Sequence, residues 1–121
     1  MVDSPFIQFF DERRPGDLAR LGGKCQSLVA LTAAGMPVPP GFAVTTDAYT
    51  AFIETACVAD EIHRLLDGLD ADDTAAVDEV SARIRESIHS APVPGPVRDD
   101  FAAAYEALQS RFTQDTPVAV R

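Results

Sequence analysis

Leu21-Gly22-Gly23-Lys24-Cys25-Gln26-Ser27-Leu28-Val29-Ala30-Leu31-Thr32-Ala33-Ala34-Gly35 is the stretch from which the rest of the chain can be read. Leu21, Cys25, Leu28, Leu31 and Thr32 recur at spacings of three and four, which predicts a partly buried helix beginning at Lys24. Ala30, Ala33 and Ala34 favour that helix, and Gly35 is placed to end it in a left-handed conformation. Met36-Pro37-Val38-Pro39-Pro40-Gly41 then excludes regular helix and central strand, because proline removes backbone donors and holds an extended path. Phe42-Ala43-Val44-Thr45 reads as a short strand.

Upstream, Phe6-Ile7-Gln8-Phe9-Phe10 has the aromatic and β-branched character of a strand. Asp11 to Asp17 reads as a charged loop broken at Pro15-Gly16. Downstream, Thr46 or Asp47 is placed to cap a helix whose inward face holds Tyr49, Phe52, Ile53 and Ala56. A second helical face follows with Val58, Ile62, Leu65, Leu66 and Leu69, interrupted at Gly68 and Asp70 to Asp73. From Thr74, the residues Val77, Val80, Ile84 and Ile88 keep helical period. The Pro- and Gly-rich run from Ser90 to Pro96 breaks the pattern, and Pro96 suits the first turn of a last helix. That helix would bury Val97, Phe101, Tyr105, Leu108 and Phe112. Pro117-Val118-Ala119-Val120-Arg121 reads as the start of a buried strand, which predicts an incomplete domain. The expected class is α/β over residues 1–121, strongly helical in the middle.

Composition narrows the function classes. A net charge of −9 argues against a general nucleic-acid surface, which needs a basic stripe. No basic segment followed by an apolar run opens the chain, and no apolar stretch approaches a bilayer span; the expected location is the cytoplasm, without membrane contact. Cys25 and Cys57 are too few for a disulfide framework, and neither has ligand spacing with His63 or His89, so no metal site is expected. The acidic run from Asp60 to Glu79 suits a solvated face. Lys24 is the only lysine beside nine arginines, so any chemistry that needs a lysine here has one candidate.

Gly22-Gly23-Lys24 has the makings of an anion grip. Paired glycines let the backbone approach a ligand, helix-start N–H groups favour negative charge, and lysine adds a mobile cation. A flexible turn with an exposed lysine accounts for the same three residues. A Walker A loop is excluded by Leu18 and Cys25, and no GxGxxG occurs. Cys25 reads either as a thiol activated near a helix start or as a small buried apolar group. Thr45 and Thr46 could place hydroxyls near a phosphate, or simply end a strand and cap a helix. Tyr49 and Tyr105 fall on apolar faces and are expected in the core, while His63 and His89 read as helix-surface residues.

Four blocks in order carry a resemblance: Leu21-Gly22-Gly23-Lys24 through Ser27-Leu28, Ala34 through Phe42, Thr45-Thr46-Asp47-Ala48-Tyr49, and Val118-Ala119-Val120-Arg121. Together they resemble the amino-terminal part of the ATP-grasp nucleotide-binding domain of phosphoenolpyruvate synthase, pyruvate phosphate dikinase and rifampicin phosphotransferase. The resemblance implies an ATP- and Mg²⁺-dependent phosphotransferase that passes phosphate through a histidine on another domain to pyruvate. The alternatives are an antibiotic as acceptor, as in the rifampicin enzyme, or a non-catalytic acidic interaction module. It further implies that Lys24 and Arg121 contact nucleotide phosphates and act in catalysis. Gly22, Gly23 and Thr46 would complete the nucleotide contacts, with the metal-binding carboxylates lying outside these residues. Cys25 departs from the glycine or asparagine common after that lysine.

Overall fold

The computed structural model describes residues 4–12 and 17–121. In chain order the elements are β1 (Ile7–Phe9), α1 (Asp17–Arg20), α2 (Gly23–Ala33), β2 (Phe42–Val44), α3 (Thr46–Thr55), α4 (Val58–Leu66), α5 (Thr74–Ser90) and α6 (Gly95–Gln109). Two compact units result, one from Met1–Ala48 with Gly95–Arg121 and the other from Tyr49–Pro94. The described residues are predominantly helical, and their sheet has only two strands.

In the first unit, β1 and β2 run antiparallel with Ile7 opposite Val44, Gln8 opposite Ala43 and Phe9 opposite Phe42. Alternation along a strand sends Ile7 and Phe9 to one face, where they pack with Ala104 and Leu108 of α6. Phe42 links the layers, with its ring 5.4 Å from Phe9 and 5.6 Å, edge-on, from Phe101. The Arg111 guanidinium lies 4.8 Å over the Phe9 ring and pairs with Asp11 at 3.3 Å, closing the outer end of this core. Gln8 faces the other way, is fully buried, and its carboxamide has no hydrogen-bond partner among the described residues. Gly41 is required by contact: a Cβ there would lie 2.5 Å from the Phe10 ring, whose backbone N–H donates to the Gly41 carbonyl.

Gly35 ends α2 as expected. It takes φ +80°, its N–H donates to the Thr32 carbonyl, and the Met36 N–H reaches back to Leu31. That pair of bonds is a Schellman motif, which satisfies carbonyls the helix leaves open. Pro96 sits in the first turn of α6, also as expected.

In the second unit, α5 carries Val77, Val80, Ile84 and Ile88 half-buried, matching the predicted period. Asp73 caps it by accepting the Ala76 N–H at 3.1 Å. On α4, Glu61 and Arg64 form an exposed two-bond pair at 2.6 and 2.9 Å. The hydrogen bond from Arg64 holds the Glu61 carboxyl below its ordinary value of 4.5.

Several expectations are corrected. Val118 and Val120 are exposed and no strand forms at 117–121, because a strand needs a ladder and nothing pairs with this segment among the described residues. Tyr49 and Tyr105 are 55 % and 40 % exposed; the neighbouring alanines, Ala48 and Ala104, take the buried positions in each helix. Helix α3 starts at Thr46 itself, so neither Thr46 nor Asp47 is its cap, and the hydroxyl of the preceding Thr45 goes to the Pro5 carbonyl at 2.6 Å. Asp17 opens α1 rather than closing a loop, and the predicted break at Pro15-Gly16 lies outside the described residues. No residue of α2 is fully buried.

Candidate functional site

The Leu21–Lys24 stretch runs from a bend after α1 into the first turn of α2. Leu21 is buried and anchors it, and the Gln26 side chain donates to the Leu21 carbonyl at 2.9 Å. Gly22 occupies the N-cap position of α2 with φ −69° and ψ 159°, and has no side chain to cap the first N–H groups. Gln26 N–H to Gly22 carbonyl, at 3.0 Å, closes the first turn. The amides of Gly23, Lys24 and Cys25 therefore head the helix, where the dipole favours an anion.

Gly22 and Gly23 would have no atom within 4 Å of an added Cβ. Neither crowding nor a positive φ requires glycine at Gly22, so its value here is the open backbone it leaves. Lys24 is exposed, and no ion pair engages it among the described residues. Cys25 is a half-buried free thiol.

A second block is tied to this one by a residue that sequence reading missed. Arg20, just before Leu21, donates to the Pro5 carbonyl and lies with Nε 3.1 Å from the Asp47 carboxylate. The Nε–H itself is not aligned for a hydrogen bond, so the contact with Asp47 is Coulombic. Because the Thr45 hydroxyl also donates to Pro5, one carbonyl joins the start of β1, the end of α1 and the β2–α3 junction. Thr46, exposed, is the first residue of α3 beside Asp47. Twenty-seven positions separate Arg20 from Asp47, and no periodicity links them; only the fold reveals the pair.

Arg121 is exposed, and no hydrogen bond or ion pair joins it to Lys24 or Thr46 among the described residues. The arrangement thus presents backbone amides and an ammonium around an open glycine pair, with hydroxyl and guanidinium groups elsewhere in the same unit. No cluster of three or more His, Cys, Asp or Glu side chains able to hold a metal occurs among the described residues. No helix there is long and apolar enough to cross a membrane.

Residues 18–121 match the family described as the pyruvate phosphate dikinase AMP/ATP-binding domain. The chain is 39 % identical over 119 residues to a probable phosphoenolpyruvate synthase of Staphylothermus marinus, covering 96 % of this chain and 14 % of that protein. A probable phosphoenolpyruvate synthase of Methanocaldococcus jannaschii is 41 % identical over 117 residues, 96 % of this chain and 10 % of its own. The phosphoenolpyruvate synthase of Pseudomonas aeruginosa is 35 % identical over 120 residues, again 96 % of this chain and 15 % of its own. The chain therefore spans about a seventh of the first of these relatives.

Proposed function

The chain belongs to the pyruvate phosphate dikinase AMP/ATP-binding domain family, and from that membership we propose that it supplies one wall of the ATP site in a phosphoenolpyruvate synthase. On this reading the predominantly helical unit with its two-stranded sheet would form the front end of an ATP-grasp domain. The observation that carries the reading is the open Gly22–Gly23 backbone at the head of α2 with the exposed Lys24 beside it. This donor set fits nucleotide phosphates: amides fix oxygen positions, and the ammonium offsets charge without demanding one geometry. ATP with Mg²⁺ supplies the transferable phosphoryl group when bound.

Lys24 and Arg121 neutralise charge on the phosphates as the bond to the leaving group loosens, which is the principal task of protein groups in phosphoryl transfer. Thr46 adds a hydroxyl contact at the start of α3. The phosphate then passes through a histidine of another domain to pyruvate. His63 and His89 have no part in that relay.

The test is ATP-dependent phosphoenolpyruvate formation by the full-length protein. Lys24→Ala should lower it by about two orders of magnitude or more, in the range that loss of one electrostatic donor produces. Near-normal turnover in that variant would remove Lys24 from the site. Robust ATP consumption with a small alcohol, and none with pyruvate, would reassign the acceptor while leaving the nucleotide site in place.

A further inference from the structure

We infer that Gln109 is a positioning residue for Arg121, setting the course of the backbone that delivers the arginine half of the phosphate grip; this rests on the role proposed above for Arg121. Gln109 is the last residue of α6. Its carboxamide Nε2 donates to the Thr116 carbonyl at 2.8 Å, and its Oε1 accepts the Thr116 N–H at 3.1 Å. One side chain thereby gives Thr116 the two bonds that a neighbouring strand would give, fixing both the place and the rotation of that peptide.

The anchor is rigid on its helix side. Helix α6 is held by Ala104 and Leu108 in the core, and Phe112 folds back onto the same cluster. The turn between them is closed by the Arg111 N–H to Leu108 and the Phe112 N–H to Gln109. After Thr116, Pro117 has no N–H, and among the described residues Val118 to Arg121 are exposed and lie in no strand. An open cleft of about 530 Å³, lined by Tyr105, Gln109, Asp115, Thr116 and Pro117, borders the anchor, so packing does not replace the two hydrogen bonds there. Arg121 lies five positions after Thr116, a reach of about 17 Å when extended. A rotation at Thr116 therefore changes the direction in which the backbone sets out toward Arg121.

Only glutamine has the required shape. Glutamate would keep the bond from the Thr116 N–H but meet the Thr116 carbonyl without a donor, and alanine loses both bonds.

Full-length Gln109→Ala should raise the KM for ATP about tenfold, consistent with misplacement of a single phosphate contact. The KM for pyruvate should stay unchanged, a split between the two substrates that a merely structural role would not produce. Gln109→Glu should fall between wild type and Gln109→Ala. Adding Gln109→Ala to Arg121→Ala should cause no further loss, because the arginine being positioned is already gone. Full additivity of the two substitutions, or normal ATP kinetics in Gln109→Ala beside a crippled Arg121→Ala, would overturn the inference while leaving the ATP site intact. A fully active Arg121→Ala would instead remove the role proposed for Arg121, and the inference with it.

Discussion

Single side chains decide two matters that patterning left open. Gln8 lies in a segment correctly read as a strand, yet its carboxamide is buried without a partner among the described residues. An unmet buried amide costs about 1–3 kcal/mol, so Gln8→Leu should raise the thermal midpoint; a lower midpoint would show that the amide has an unrecognised partner. Gly41 was legible only as part of a proline-rich turn, whereas the structure gives it a steric reason in the Phe10 ring. Gly41→Ala should destabilise by about 1 kcal/mol, measured by denaturant midpoint, because the ring must move aside. Glu61 offers a check on charge. Its carboxyl should titrate below 4.5 by NMR, with the Arg64 hydrogen bond as the first cause. Because its folded pKa is depressed, the pair's contribution is present above the unfolded value and lost as pH falls through the folded one. The pair is exposed, so this contribution should be slight at neutral pH.

At the scale of elements, the glycines that flank α2 have opposite meanings. Gly35, at φ +80°, completes the Schellman motif, and Gly35→Ala should cost about 1 kcal/mol in thermal or denaturant unfolding. Gly22 and Gly23 have open space, so Gly22→Ala and Gly23→Ala should leave the unfolding midpoint near wild type. If the proposed site is correct, those two variants should nonetheless weaken ATP use by the full-length protein, since a methyl group would occupy the open backbone of the proposed phosphate grip. Full activity in both would argue that the turn is only a turn. Helices α2, α5 and α6 and both strands were legible because apolar period, proline and glycine all pointed one way. Three features were not. Ala48 and Ala104 are buried where Tyr49 and Tyr105 are exposed, although Val97 and Leu108 of α6 keep their predicted burial; an alanine beside a tyrosine gives periodicity no means to choose between them. The segment at 117–121 has strand-forming residues, but a strand also requires a partner, which local composition does not specify. The Arg20–Asp47 contact joins positions remote in sequence.

For the molecule as a whole, the two halves of the proposed grip lie on different footings. The Gly22–Lys24 turn is seated on buried Leu21, while Arg121 is exposed five positions after the Thr116 anchor. ATP binding by residues 1–121 alone should therefore be weak by calorimetry, because a nucleotide pocket combines more converging groups than this chain presents. Tight binding would show that the turn suffices. The first unit is also discontinuous, with β1 and β2 before the second unit and α6 after it. On the ribosome, the hairpin carrying Ile7, Phe9 and Phe42 is made about sixty residues before Leu108, a wait of roughly 3 to 12 seconds at ordinary rates of synthesis. During that interval the aromatic face has no helix to cover it, and the nascent chain offers a binding stretch to a chaperone before its own core can close.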